Sequence, residues 1–261
     1  MVIFINLQPI LEQLRSEYMT NRNTFSMPKI SGIQAYPEPP YVSENREYFV
    51  IEYETDIDAL RKVVPEPLEI QSPTVKYEFI HMPAYGLGEF TESGQVIPVT
   101  LNGEAGGYIH TMVLDGSTSI AAGREIWGFP KRNANPRLYV DNTDALIGVL
   151  DYGSLRVAQA VMGLKQVRVP PEPVQKTAKQ ASFVLKTIPH VNGTPRVCEL
   201  VKFYLKDVIV KEAWTGPVSL QLFEHALLPV AALPVKRVIT GLHFVVNVTL
   251  DFGEVVKDYL K

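Results

Sequence analysis

From Glu47 onward, apolar, β-branched and aromatic residues recur in short runs with polar residues between them, the pattern of strands rather than helices. Such runs extend from Tyr48 to Tyr53, Thr74 to Ile80, Tyr108 to Leu114, Leu138 to Val140 and Leu146 to Leu150. They continue from Ser182 to Ile188, Val197 to Val210, Val218 to Phe223 and Val238 to Leu250, and Asn192-Gly193 between two of them predicts a tight hairpin turn. Helical spacing is rarer. Leu7, Leu11, Leu14 and Tyr18 predict one amphipathic helix in the first twenty residues, with Pro9 in its first turn. Brief helices are also predicted from Ile57 to Val64, stopped by Pro65 and Pro67, from Ser117 to about Trp127, and from Gly253 to Leu260. Pro28, Pro37, Pro39 and Pro40 hold residues 28–41 extended. The predicted fold is mainly β (α+β), with antiparallel sheets forming a barrel-like core and helices at its periphery. A single domain is expected over 1–261, with 1–44 as N-terminal helix and proline-rich connector.

Composition narrows the partners. A formal net charge of -3 and 20% charged residues, with no long run of one sign, give no reason to expect nucleic acid or an anionic membrane surface. Ala226 to Val235, interrupted by Pro229 and Pro234, is far too short to span a bilayer. The first eighteen residues have no cation before Arg15 and no long apolar core, so a secretory signal is not expected and the Asn192-Gly193-Thr194 glycosylation pattern reads as accidental. The lone Cys198 cannot form an intrachain disulfide and fits a cytoplasmic protein.

The five histidines, His81, His110, His190, His225 and His243, show no metal-ligand spacing, and phosphate-binding, dinucleotide-binding and serine-nucleophile motifs are missing, so neither metal nor cofactor is expected. What remains is an amine with carboxylates. In Gly123-Arg124-Glu125-Ile126-Trp127-Gly128-Phe129-Pro130-Lys131-Arg132, a lysine follows a nearly uncharged aromatic run and precedes a permanent cation. Apolar surroundings and a like charge both disfavour an ammonium, which at an ordinary pKa near ~10.4 has no lone pair for attack. Phe129 before Pro130 is biased to extended backbone, which places Lys131 at the start of a strand or in a bulge. The same pattern also fits a surface lysine snorkelling beside an apolar strand.

Lowering the amine by about four units requires on the order of 6 kcal/mol. In extended backbone Lys131 and Arg132 face opposite ways, so their charges lie about 7 Å or more apart, which at an effective dielectric near ~20 is worth roughly 2.4 kcal/mol. Desolvation by Ile126, Trp127, Phe129 and their surroundings must therefore supply the larger share, with Arg132 contributing about two pKa units at most.

The segment from Gly123 to Lys131 resembles the Schiff-base lysine motif of the acetoacetate decarboxylase family. Asn45-Arg46-Glu47-Tyr48-Phe49, the stretch from Asp58 to Glu69, Thr91-Glu92-Ser93-Gly94 and Glu212-Ala213-Trp214-Thr215-Gly216-Pro217 resemble other blocks of that family, so the likeness runs from about Asn45 to Lys261. It implies that Lys131 is the Schiff-base nucleophile, in a family that is itself a standard example of an activated lysine. It also implies that Arg46, Glu78 and Glu92 are polar active-site residues. The chain departs from the family where Arg132 replaces a frequent second lysine and Phe129 a frequent tyrosine.

The implied reaction converts acetoacetate to acetone and carbon dioxide through an imine and an enamine. Glu92 is the first choice for proton transfer, Glu78 the second choice or its partner, and Arg46 is expected to pair with Glu92. Read without the resemblance, Glu78 is a solvated strand residue, Glu92 a turn residue and Arg46 a surface ion-pair partner. Two rival functions stay open: a Schiff-base aldolase or dehydratase acting on a larger oxo acid, and a non-catalytic β-barrel holding a small apolar ligand. The resemblance further implies a small 3-oxo acid as substrate and a homo-oligomer, with dodecamers among the family's assemblies.

Overall fold

The computed structural model describes residues 25–27 and 34–261; the helix expected around Leu7 to Tyr18 and part of the proline-rich connector lie outside them. The chain divides into two units, Met1–Glu38 and Pro39–Lys261, and the second carries every strand and helix below.

Period-two alternation yields long strands. In β1 (Tyr41–Glu54), Phe49, Ile51 and Tyr53 are buried on one face and Tyr48 on the other. β1 pairs antiparallel with β15 (Arg237–Leu250) on one side and β3 (Thr74–Ala84) on the other. Beyond β3 come β4 (Gly88–Leu101) and β5 (Glu104–Leu114), again antiparallel. Outside β15 lie β13 (Leu205–Thr215) and β10 (Val167–Arg168). β5 continues in parallel to β11 (Ala181–Pro189), which leads antiparallel to β12 (Pro195–Phe203) and β16 (Glu254–Asp258). β2 (Glu69–Ile70) adds to β4, and β6 (Lys131–Asn133) adds to β5 in parallel. A second sheet runs β14 (Val218–Leu222), β9 (Leu155–Met162), β8 (Leu146–Tyr152), β7 (Asn135–Val140). The fold is mainly β, as expected, although the 12-stranded sheet stays open at β10 and β16, so its barrel-like character is loose.

Two apolar layers use the two faces of the large sheet. Phe49, Tyr77, Phe79 and Ile97 meet Leu146, Leu150, Val157 and Met162 of the small sheet and form the main core. Burying each of these large side chains stabilises the fold by about 1.5–3 kcal/mol. The opposite face carries Tyr48, Ile80, Phe90, Leu114, Phe244 and Val246, joined by Val174 from α3 (Pro171–Ala178). The short α1 (Ile57–Arg61) starts where the Asp56 side chain accepts the Asp58 N–H at 2.8 Å, and it buries Leu60 against the main core.

Several sequence expectations change. Gly253 to Leu260 is not helical; most of it is β16, laid along the edge of β12, with Val256 and Tyr259 packed on the main core. A helix of eight residues is marginal by itself, and β-branched Val255 and Val256 take the available strand edge instead. The run from Val197 to Val210 is two strands separated at Tyr204. The Asn192-Gly193 turn sits in a five-residue loop, residues 190–194, with Gly193 at φ 87°. β4 and β9 were not expected as strands. β4 hides because its inward positions near Glu92 are polar: Ser93 donates to the Tyr77 hydroxyl at 3.3 Å, and Gln95 donates to the Tyr53 hydroxyl at 2.9 Å and to Val230 O at 3.0 Å. Hydrogen bonding satisfies these buried groups, so apolar alternation begins only at Ile97, Val99 and Leu101, in the second half of the strand.

Candidate active site

The segment before Lys131 is built to bend. α2 (Ser117–Ala122) runs directly into a π-turn, Gly123–Trp127, so the helix expected from Ser117 to Trp127 changes its winding at Gly123. Such single π-turns recur at functional sites. Gly128 ends it at φ 85°, and the N–H groups of Gly128 and Phe129 both donate to Gly123 O at 3.0 Å. A side chain at Gly128 has no room, since a Cβ would stand 2.2 Å from Lys186 Cβ and 2.4 Å from its Cα. After Pro130, the Lys131 N–H donates back to Phe129 O at 2.7 Å, and β6 then pairs Lys131 with Met112 of β5.

Register explains what Lys131 meets. Tyr48 pairs with Ile80, Val50 with Glu78, Glu78 with Gly94, and Ile80 with Glu92, so all share the face opposite the main core. Glu92 also pairs with Leu114, and Gly94 with Met112, which brings β6 to the same face. Arg46 joins it two residues before Tyr48.

Lys131 is only 6% exposed and Glu92 2%. The Lys131 Nζ donates to Ser119 Oγ at 2.7 Å and lies 3.3 Å from Glu92 Oε2. Its flanks are aromatic: the Phe90 and Phe129 ring centroids are each 5.3 Å away. The stem lies across Gly123, where a Cβ would come within 2.6 Å of Lys131 Cδ and 2.8 Å of Cε. Arg124 Nη1 fixes the backbone by donating to Lys131 O at 3.2 Å. Trp127, 1% exposed, contacts Phe129 with ring centroids 5.7 Å apart and donates through Nε1 to Asp251 O at 3.0 Å. It therefore supports the Phe129 wall from behind.

Burial pushes the Lys131 amine below the usual lysine range; the Glu92 carboxylate pulls it back up, and the Arg46 guanidinium depresses it further. The cation was misassigned from sequence. Arg132 faces outward, donating through Nη1 to Leu227 O at 2.5 Å and through Nη2 to the Tyr152 hydroxyl at 3.3 Å. Strand alternation sends Lys131 in and Arg132 out, and Arg46, reaching the site from β1, supplies the like charge instead.

Glu78 is partly buried, and burial is the main force raising its carboxyl to about 7; Lys76 and Arg46 oppose the rise and Glu92 adds to it. The expected Arg46–Glu92 ion pair is not formed among the described residues. Glu92 turns to Lys131, while the Arg46 guanidinium lies 4.7 Å from the Tyr48 ring centroid. Arg46 Nε and Glu92 Oε2 are both buried without a hydrogen-bond partner, so the 3.3 Å approach of Glu92 to Nζ is an ionic contact rather than a well-directed hydrogen bond. A buried donor and a buried acceptor left over on one face are the groups a polar ligand would engage.

Sequence reading missed Ser119 and Phe90. Phe90 was within reach, because it precedes Glu92 by two and shares its face once β4 is recognised as a strand. Nothing in Ser117-Thr118-Ser119 distinguishes Ser119 by pattern; only its complete burial against Nζ does.

The family model for acetoacetate decarboxylase matches residues 26–260. The chain belongs to the acetoacetate decarboxylase family. It is 53% identical over 240 residues to acetoacetate decarboxylase 1 of Bradyrhizobium diazoefficiens, spanning 92% of this chain and 95% of that one. It is 54% identical over 239 residues to acetoacetate decarboxylase of Paraburkholderia xenovorans, spanning 91% and 94%. Its fold superimposes on crystalline acetoacetate decarboxylase from Legionella pneumophila with a TM-score of 0.88 at 49% identity, covering 92% of this chain and 96% of that one. The enduracididine biosynthesis enzyme MppR shares the fold at a TM-score of 0.79 and 19% identity. No helix among the described residues is long and apolar enough to cross a membrane.

Proposed function

We propose that this chain decarboxylates acetoacetate to acetone and carbon dioxide through a Schiff base on Lys131. The observation that carries the reading is the Lys131 amine, buried between Phe90 and Phe129 and depressed in basicity by desolvation. A neutral amine attacks the ketone of a 3-oxo acid, and loss of water leaves a protonated imine two bonds from the carboxylate. Cleavage of the bond to carbon dioxide delivers its electron pair into a neutral enamine, so no free carbanion forms. Protonation of the enamine and hydrolysis of the imine release acetone and restore the amine.

Glu92, in ionic contact with Nζ, is placed to move protons during imine formation and enamine protonation. Glu78, with its carboxyl raised to about 7, holds a proton near neutral pH and serves as its partner. Arg46 has two uses: its charge lowers the Lys131 amine, and its unpaired Nε can orient the substrate carboxylate. A loose grip suits the chemistry, because tight binding of the carboxylate would stabilise the ground state that decarboxylation must leave. The family resemblance supports a homo-oligomer, with a dodecamer the assembly to look for by light scattering, and a cytoplasmic site of action.

The test is to incubate the protein with acetoacetate and borohydride, map the adduct by mass spectrometry, and measure carbon dioxide release in parallel. Mass gain on Lys131 and carbon dioxide release lost in Lys131→Ala are expected. Absence of any Lys131 adduct overturns the Schiff-base reading, and an adduct without acetoacetate turnover redirects it to aldol or dehydration chemistry.

A further inference from the structure

We propose that Ser119 is a catalytic proton carrier for imine formation, passing a proton from Nζ to the substrate's ketone oxygen as Lys131 attacks. The proposal rests on the Schiff-base reading of Lys131 and adds a residue to it.

Two polar groups of the protein touch Nζ, with opposite consequences. Glu92 Oε2 at 3.3 Å carries charge and favours the ammonium that cannot attack. Ser119 Oγ is closer, at 2.7 Å, and neutral, so it orients the amine without restoring its basicity. Ser119 has no exposed surface, and its hydroxyl accepts the Nζ proton in that bond. A serine hydroxyl has one proton of its own to donate in addition to the lone pairs that accept. The ketone oxygen, once its carbon bonds to Nζ, is two bonds from the atom that Ser119 already touches, within reach of that proton.

The step balances without any other reactant. The Nζ lone pair forms the bond to the ketone carbon, and the carbonyl π pair moves to oxygen. One N–H bond breaks as Nζ gives its proton to Ser119 Oγ. The Ser119 O–H bond breaks as its proton goes to the ketone oxygen, leaving a neutral carbinolamine and an unchanged serine. Without the relay, attack produces an ammonium and an alkoxide in a site whose walls are Phe90 and Phe129, an environment that disfavours separated charge. The placement is set by the fold, since α2 and the π-turn hold Ser119 and Gly123 on neighbouring sides of one lysine stem.

The experiment compares wild type, Ser119→Ala and Ser119→Cys by borohydride trapping with acetone, by exchange of acetone's carbonyl oxygen with heavy-oxygen water, and by carbon dioxide release from acetoacetate. Exchange reports imine formation without decarboxylation. In Ser119→Ala, exchange and carbon dioxide release are expected to fall together by about 100-fold, the lower end of what a positioned proton transfer contributes, with the melting curve retained. The solvent deuterium isotope effect on exchange should also change, which loss of mere packing would not cause. Ser119→Cys, which keeps a transferable proton and a similar volume but hydrogen-bonds Nζ more weakly through sulfur, should fall between the two and stands in if the alanine variant does not fold. A fall of less than about tenfold in exchange, or loss of carbon dioxide release with exchange unchanged, overturns the role of Ser119. If wild type itself gives no Lys131 adduct, the Schiff-base reading fails; if wild type is trapped and Ser119→Ala is trapped as fast, only the Ser119 proposal fails.

Discussion

Replacing Glu92 with Gln should lower the pKa of Lys131, even though it removes a group placed to help the reaction. The two side chains are nearly isosteric, so the change removes charge while keeping volume in a site where both partners are buried. At the observed 3.3 Å, a unit charge pair attracts by about 5 kcal/mol at an effective dielectric near 20 and by about 1 kcal/mol at that of water. The carboxylate therefore holds the amine up against the effect of burial. Burial acts the other way, and without Glu92 it acts unopposed, with the Arg46 guanidinium adding to it. The neutral fraction of Lys131 can be read separately from proton transfer by following its acylation with an activated ester across pH, with the site assigned by mass spectrometry. The midpoint in Glu92→Gln should lie at lower pH than in wild type. Carbon dioxide release should nevertheless fall, because a readier nucleophile has lost its acid–base partner. A midpoint that stays put or moves upward would refute the claim that Glu92 and Lys131 interact as charges.

Arg132→Gln should leave the acylation midpoint of Lys131 within about half a unit, well below the ceiling of about two units set from sequence, because the guanidinium faces Leu227 and Tyr152. A shift near that ceiling would restore Arg132 as the tuning cation. Gly123→Ala should fold but lose most carbon dioxide release, since the new Cβ would stand 2.6 Å from Lys131 Cδ and force the lysine stem off its line; wild-type turnover would show that the stem has other room. Glu78→Gln should change the pH dependence of stability. The Glu78 carboxyl is raised in the folded state from 4.5 to about 7, so between those values the folded chain binds a proton that the unfolded chain has released, and stability falls as pH rises. Glutamine does not titrate, so the variant should gain on wild type across that window and keep the gain above it, as urea midpoints would show; parallel curves would exclude the shift.

The sequence exposed the apolar half of this fold and concealed much of the polar half. β1, β3, β5 and β15 announce themselves because one face of each meets a core and fills alternate positions with residues such as Phe49, Ile51, Val75 and Tyr77. β4 does not, because Ser93 and Gln95 occupy core-facing positions and are satisfied by the hydroxyls of Tyr77 on β3 and Tyr53 on β1. That concealment reached the site, since Glu92 read by itself is a turn residue and Phe90 is unremarked until both are known to lie on one strand. Lys131 stands out from the run preceding it, in which Phe129 lies 5.3 Å from its amine and Trp127 packs behind Phe129. The partners of its amine do not stand out. Ser119 is twelve positions upstream and Glu92 thirty-nine, and no local pattern encodes a contact made by a π-turn and a parallel strand pair.

The mistake over Arg132 follows from the same physics that made the rest of the reading work. Adjacent residues in extended backbone face opposite ways, so the cation nearest Lys131 in sequence is among the least able to share its pocket. A like charge must come from another strand on the same face, and Arg46 of β1 does. The large sheet thus divides its labour by face. Its main core joins the small sheet through apolar contacts, while the opposite face holds Glu78 and Lys131, each in the field of Arg46 and Glu92. Buried charges of this kind are a poor source of stability, because desolvation offsets much of their attraction. Their presence on one face of a sheet whose other face supplies the core separates the groups that hold the chain folded from those that tune the amine.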